Sequence, residues 1–337
     1  MPLNDPFRLA VPSDGAMHQI TLDFLRDCGM NVQRPSPRRY TATVSTIPGV
    51  EVIFQRTADI TWRVEAGNAD LGIVGFDRYQ ETRIEGGASL LIMNDLGFGR
   101  CDLVVAAPEA WLDVTAMSDL ADIAVEFRET SRELRVATKY PRLVRRFFYA
   151  HGINYFSIAP VSGTLEAAPA MGFADLIVDV TASGVTLKEN HLRRLTDGTV
   201  MTSEGAVIGN RELLRKFPDH LDIAREIVTR IEARRSALRL FGITANIAAP
   251  DEQTVSARLM EFPAAAGLQG PTIAPVHNSN GKTVFAATVF VERNRLAEVR
   301  EHLSVIGATS VSVSEPNFVF DQDDRTFNNL KASLGLK

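Results

Sequence analysis

The chain has 337 residues, is 45% apolar and 23% charged, and carries a net charge of −5 at pH 7. That balance removes any general electrostatic reason to bind nucleic acid or an anionic membrane, so a polyanionic ligand would have to be a small one held by local groups. Its two cysteines, Cys28 and Cys101, stand without a CxxC pattern or a histidine-rich companion, so neither a disulfide framework nor a zinc site is indicated.

At about 150 residues per domain the length predicts two or three domains. The start, MPLNDPFRLAVPSDG, lacks the basic n-region and apolar h-region of a secretory signal. No apolar run approaches the roughly 18 residues needed to cross a bilayer, so the expected location is cytoplasmic.

In chain order, FRLAV (7–11) is a short apolar strand ending in the turn PSDG. In the next segment Met17, Ile20, Leu22, Phe24 and Leu25 fall mostly at helical spacing before Gly29. VEVIFQR (50–56) predicts a strand ending in Arg56, ITWRVEAGNAD a helix stopped by Gly67, and LGIVG (71–75) a buried strand. Strands alternating with helices predict βαβ units and a mainly parallel sheet whose ligands gather at the carboxyl ends of the strands.

A second series follows: CDLVVAAP (101–108), LRVATKYP (134–141), the basic helix RLVRRFFYAHG, FSIAPVSG and ADLIVDV. One long amphipathic helix comes next, with Leu221, Ile223, Ala224, Ile227, Ile231 and Leu238 as its apolar stripe. From Ile243 the order becomes β, α, β, β, α, β, the split pattern of ferredoxin-like domains. The domain reading is a first α/β lobe over 1–100, completed by about 190–215, and a second over 101–189. A connecting helix over 216–242, a ferredoxin-like domain over 243–318 and a polar tail over 319–337 complete the chain.

Chemistry concentrates in IVDVTASGVTL (177–187). A strand ending at Asp179, then a turn with the hydroxyls of Ser183 and Thr186 and a helical start, can aim donors at one phosphate. Asp179 would repel that phosphate at close range but accepts hydrogen bonds from vicinal hydroxyls, and Glu166 in the neighbouring SGTLE turn can do the same. The segment is neither a Walker loop nor GxGxxG. Read alone, it is equally an ordinary turn before a capped helix.

Five ordered segments together carry more: RTADITWRVEAGNADLGIVGFD (56–77), LGFGRCDLVVAAP (96–108), RVATKYPRLVRRFF (135–148), GTLEAAPAMGFADLIVDVTASGVTL (163–187) and GPTIAPV (270–276). With these the chain resembles ATP phosphoribosyltransferases of the long form, over about residues 7–318. The resemblance implies two periplasmic-binding-protein-like α/β lobes around a cleft plus a C-terminal ferredoxin-like regulatory domain. It implies transfer of a phosphoribosyl group from phosphoribosyl pyrophosphate to N1 of ATP, the first step of histidine biosynthesis. Substrate-bound Mg2+ with no all-protein metal cage, feedback inhibition by histidine and a homo-hexamer are implied as well.

By the same resemblance Thr181, Ala182, Ser183, Gly184, Val185 and Thr186 surround the 5-phosphate, and Asp179 and Glu166 are the catalytic carboxylates at the ribose hydroxyls. Arg56, Gly72, Gly75, Gly97 and Gly99 form the nucleotide side, with Asp70 capping locally. Asn246 and PTIAPV are offered for the histidine site, and TVFAATVFV (283–291) as an edge that doubles as an interface. Lys139 and Tyr140 are either cleft residues or a solvated helix start. Arg142, Arg145 and Arg146 are read as a solvated face, Cys101 as a small buried residue, and the six histidines as surface or capping groups.

One position departs from the family pattern. Where relatives carry a lysine in the first turn, this chain has Asp14. Either another cation such as Arg38, Arg39 or Arg56 compensates, or the substrate or activity has changed. Two other readings stand beside the enzyme: a catalytically silent paralogue sensing nucleotide or histidine, and a two-lobed small-molecule binding protein.

Overall fold

The computed structural model describes residues 6–159, 164–277 and 281–336. Its strands are β1 (Phe7–Pro12), β2 (Val32–Gln33), β3 (Thr41–Val44), β4 (Val50–Gln55), β5 (Leu71–Gly75), β6 (Ser89–Met93), β7 (Cys101–Pro108) and β8 (Leu134–Thr138). They continue with β9 (Phe156–Ala159), β10 (Leu176–Thr181), β11 (Leu192–Ser203), β12 (Gly205–Asn210), β13 (Leu240–Ala248), β14 (Thr272–Pro275), β15 (Val284–Glu292) and β16 (Ala308–Ser314).

The helices are α1 (Ala16–Asp27), α2 (Thr57–Glu65), α3 (Phe76–Thr82), α4 (Met117–Glu129), α5 (Pro141–Ala150) and α6 (Val185–Glu189). After them come α7 (Arg211–Lys216), α8 (Pro218–Leu238), α9 (Glu252–Met260), α10 (Leu296–Val305) and α11 (Arg325–Ser333). Two compact units emerge, one of residues 1–225 with 328–337 and one of 226–327.

The first unit holds two lobes, each built on its own sheet. The seven-stranded sheet runs β2-β3-β4-β1-β5-β12-β6 and the five-stranded one β11-β7-β10-β8-β9. β1 lies parallel between β4 and β5, and β8 lies parallel between β10 and β9. Four of the ten strand pairings among the described residues of these two sheets are parallel and six are antiparallel, so the expectation of a mainly parallel sheet does not hold. The chain enters the second lobe along β7 and leaves it along β11, and both β7–β10 and β5–β12 pair antiparallel. A strand that returns from the other lobe must run against its neighbours.

Period-two alternation puts the second sheet between two apolar layers. Leu103, Val105, Val136, Leu176 and Val178 pack with Leu120, Val144 and Phe148 on one face. Val104, Ala106, Ala137 and Ile177 pack with Leu165, Ala168 and Leu187 on the other. That second face therefore carries the 3-10 turn Leu165–Ala167 and the start of α6. In the first lobe Gly72 is a packing position, because a Cβ there would meet Ile60 Cγ2 at 2.7 Å and Val64 Cγ2 at 3.0 Å. Its bareness lets α2 sit close on β5.

In the long helix α8 the buried positions are His220, Ala224, Ile227, Val228, Ile231, Ala233 and Ala237, while Leu238 of the expected stripe is exposed. His220 is also no surface residue. At 4% exposure its Nδ1 lies 2.6 Å from Asp70 Oδ1, and the other oxygen of Asp70 accepts the Arg8 N–H at 2.8 Å.

The second unit has a four-stranded antiparallel sheet in the order β14-β15-β13-β16. One face is buried: Ile243, Ala245, Ile247, Ala287 and Val289 pack against Val255 and Leu259 of α9 and Val299 and Leu303 of α10. The other face mixes hydroxyl-bearing and apolar side chains, and on it Thr244 and Thr288 are joined through their oxygens at 2.8 Å. β15 is an inner strand paired on both sides, so the segment 283–291 is no edge. The tail includes α11, whose Phe327 and Leu330, with Leu334 beyond its end, are buried at helical spacing.

Candidate active site

Parallel strands deliver their carboxyl ends to one side of a sheet, and both lobes use that side. In the first lobe Pro12 pairs with Gln55 and the Ser13 N–H reaches the Gln55 carbonyl at 2.7 Å. The turn bearing Asp14 is thus beside Arg56. Both side chains are exposed, and no ion pair joins them among the described residues. The Phe54 N–H donates to the Tyr40 carbonyl at 2.9 Å, which brings the exposed Arg38 and Arg39 to the same end of the sheet. β5 ends there too, at Gly75, where a Cβ would stand 2.5 Å from Asp77 Oδ1.

Across the lobes, Asp77 is the joint. It is 6% exposed and accepts hydrogen bonds from the Tyr140 hydroxyl at 2.5 Å and the Ser203 hydroxyl at 2.7 Å. Burial, reinforced by the charge of Asp77, pushes the Tyr140 phenol far up, so it stays a donor. Arg78 stacks 4.1 Å over the Tyr140 ring and donates to the Lys139 carbonyl at 3.1 Å. Glu81 accepts from the N–H groups of Arg142 and Leu143 at 2.9 and 3.0 Å, capping α5 from the other lobe. Arg142 stays exposed, as expected, and in turn donates to the exposed Glu85 at 2.9 Å.

In the second lobe Asp179 continues the face of Ile177, above the Leu165–Ala167 turn. Its carboxyl is held above the ordinary range, chiefly by burial, with a smaller contribution from Glu166 and opposition from the Val180 N–H, Lys139 and Arg78. The two carboxylates named from the sequence are therefore close enough to feel each other. Ser162 and Gly163, at the start of the Glu166 turn, lie outside the described residues.

After Asp179 the chain turns at Thr181. The Thr181 hydroxyl accepts from the Gly184 N–H at 2.9 Å, and Ser183 Oγ lies 3.5 Å from the Val185 N–H. Gly184 has φ +76°, a left-handed conformation that turns the chain into α6. Ala182, Ser183, Val185 and Thr186 are exposed around it. Two of the turn's N–H groups are thus spent on its own hydroxyls, leaving those of Ala182 and Ser183 without a protein acceptor among the described residues.

Gly97 and Gly99, both with positive φ, sit in the crossing between β6 and β7. Gly97 donates to Glu204 at 3.1 Å, whereas a Cβ at Gly99 would meet Met17 Sδ at 2.7 Å. Gly99 thereby packs against α1. Cys101, at the start of β7, is half-buried, and burial pushes its thiol up to about 11, so it is no nucleophile at neutral pH. The same lobe holds a cavity of about 700 Å³ lined by Trp111, Phe127, Arg132, Arg135 and Asp175. It lies at the opposite end of the sheet, and Arg132 and Arg135 in its wall are both paired with Asp175.

A family model described as ATP phosphoribosyltransferase matches residues 56–233. The chain is 36% identical to ATP phosphoribosyltransferase 1, chloroplastic, of Arabidopsis thaliana, over 98% of this chain and 82% of that one.

The chain belongs to the ATP phosphoribosyltransferase family.

A Bradyrhizobium diazoefficiens ATP phosphoribosyltransferase is 34% identical over 98% of this chain and 99% of its own. In three dimensions the chain is similar to one from an ATP phosphoribosyl transferase (HisG:HisZ) complex from Thermotoga maritima, with a TM-score of 0.52 at 24% identity. That match covers 67% of this chain and 98% of the other, and it speaks for the fold. Among the described residues no helix is long and apolar enough to cross a membrane.

The structure adds residues that motif reading left unassigned. Asp77 closes the first matched segment, yet nothing in its spacing announces Tyr140 and Ser203 as partners. Only the crossing of the chain between lobes brings them together.

Proposed function

We propose that this chain carries out the reaction its family is named for, moving a phosphoribosyl group from phosphoribosyl pyrophosphate to N1 of the adenine of ATP. The N1 lone pair forms the bond to C1 of the sugar as the C1–O bond breaks, and the electron pair leaves with pyrophosphate. The adenine then sheds a proton. Positive charge grows on the sugar and negative charge on the leaving group, so the work of the protein is positioning and electrostatics.

The observation that carries the site assignment is the pair Glu166 and Asp179 on one face of the second sheet, directly before the turn 181–186. In this reading Asp179 and Glu166 accept the ribose hydroxyls, and the free N–H groups of Ala182 and Ser183 with the side chains of Ser183 and Thr186 take the 5-phosphate. Thr181, Gly184 and Val185 shape that turn. Arg56, with Gly75 and Gly97 at the neighbouring chain ends, faces the nucleotide from the first lobe. Gly72 and Gly99 support the same wall by packing.

Magnesium fits this arrangement as a substrate-bound ion. Two carboxyl side chains beside one another at this end of the sheet suit a hard cation already carried on phosphates, and the ion would supply charge neutralisation for the departing pyrophosphate. The ferredoxin-like domain, with Thr244, Asn246 and Thr288 on the face of its sheet away from the helices, is the proposed seat of histidine inhibition. A homo-hexamer and a cytoplasmic location complete the reading. Nothing in the geometry favours a silent paralogue or a binding protein over the enzyme.

The test mixes purified protein, ATP, phosphoribosyl pyrophosphate and magnesium with pyrophosphatase present, and follows adduct formation. Turnover that stops when any one substrate is omitted is the expected result. Absence of turnover with nucleotide binding retained would reject the enzyme in favour of a sensor.

A further inference from the structure

Lys139 is the residue at the cleft that the scheme above leaves without a task. It follows β8 directly, and β8 pairs with β10 in parallel register, Thr138 opposite Val178. The next residues along the two strands are Lys139 and Asp179. Ala137 and Ile177 share the apolar face that also carries Leu165. Alternation therefore puts Lys139 and Asp179 on that same face, beside Glu166.

The surroundings of Lys139 are unusually well held for an exposed lysine. Its carbonyl accepts from Arg78 at 3.1 Å, and the following N–H, that of Tyr140, donates to Thr138 Oγ1 at 3.0 Å. The Tyr140 ring lies under the Arg78 guanidinium, and its hydroxyl is anchored on Asp77. The side chain itself is exposed and makes no ion pair among the described residues. A fixed backbone thus presents an uncommitted ammonium next to two carboxylates, and that charge opposes the burial that raises Asp179.

The chemistry of the substrate then selects the role. On phosphoribosyl pyrophosphate the 5-phosphate and the pyrophosphate leave the ribose from opposite ends, with the two hydroxyls between them. If Asp179 and Glu166 hold the hydroxyls and the turn 181–186 holds the 5-phosphate, the pyrophosphate end needs a cation beside the hydroxyls but outside that turn. We propose that Lys139 is a leaving-group contact whose ammonium meets the pyrophosphate of phosphoribosyl pyrophosphate, an inference that rests on the reaction proposed above. A compact point charge suits this end of the substrate, where charge grows as the C1–O bond breaks.

The experiment compares the full chain with Lys139→Met and Lys139→Arg, using ATP, phosphoribosyl pyrophosphate, magnesium and pyrophosphate as product inhibitor. Lys139→Met should lower kcat/KM for phosphoribosyl pyrophosphate about 100-fold, the loss typical of one electrostatic contact to developing charge. It should also weaken pyrophosphate inhibition about tenfold, as loss of a charge-assisted contact does. The KM for ATP and the melting temperature should stay near those of the parent, and Lys139→Arg should recover much of the loss. Pyrophosphate inhibition unchanged in Lys139→Met, or ATP affected as strongly as pyrophosphate, would overturn the assignment. If the parent chain shows no turnover, the reaction itself fails. Calorimetry with magnesium pyrophosphate on the same proteins then decides Lys139 separately, equal affinity counting against it and a clear loss in Lys139→Met for it.

Discussion

Asp175 and Asp179 lie four residues apart at opposite ends of the same strand region, and their surroundings are opposites. The side chain of Asp175 is 4% exposed and saturated. It accepts from the Arg135 N–H at 2.8 Å and from the Arg135 guanidinium at 3.2 and 3.0 Å, and it pairs with Arg132. Burial by itself would raise its pKa, but the hydrogen bonds from Arg135 and the two guanidinium charges outweigh that and hold it low. Asp179 is starved by comparison. Burial raises it, and its one hydrogen bond among the described residues comes from the Val180 N–H at 2.9 Å. A carboxylate with every lone pair occupied holds a fold together, whereas one desolvated without partners is ready to accept donors from a ligand.

That contrast breaks most visibly in activity. Asp179→Asn should lower kcat/KM for phosphoribosyl pyrophosphate by about 100-fold or more, since a hydrogen-bonded charge at a desolvated site is lost. Equal losses toward ATP binding would contradict its place at the ribose. Asp175→Ala should leave both Michaelis constants near the parent values while unfolding the protein more easily. We expect a loss of about 2 kcal/mol by denaturant titration, below the range for fully buried pairs because both arginines reach solvent.

The smallest effect carries the sharpest sign. Asp175 has a depressed folded pKa, so its contribution to stability is present above its unfolded value near 4 and fades as pH falls through the lower folded value. Asp179 is raised, so the folded state is favoured by its protonation and loses stability as pH rises through the folded value. Asp179→Asn should accordingly raise the melting temperature at pH 7, with the gain vanishing toward pH 3. A lowered melting temperature at pH 7 would mean that Asp179 has structural partners after all.

The elements around these aspartates were largely legible in the sequence. FRLAV, VEVIFQ and LGIVG form the strands expected of them, and the segment before Gly29 forms α1, because apolar period and glycine punctuation are local signals. The turn after Asp179 was legible for the same reason, its hydroxyls bonding to N–H groups two or three residues away. Glu166 was legible as a second acid in a neighbouring turn, but the two lie on different elements, so their side-by-side placement depends on how that turn packs on the sheet. The packing of Gly72 against α2 was not legible, because a bare position against a helix and a bare position against a ligand look alike in sequence.

What the sequence determined by itself, then, is whatever depends on neighbours along the chain: the strands, the helices, the capped turn at 181–186 and the ordered motifs that mark the family. Tertiary structure alone decided which aspartates were satisfied. Asp70 found His220 150 residues away, Asp77 found Tyr140 and Ser203 across the lobes, Asp175 took two arginines and Asp179 took nearly none. The cause is physical: an aspartate's charge state and readiness to bind depend on desolvation and on partners within a few ångströms, and those are set by how sheets pack rather than by which residues adjoin.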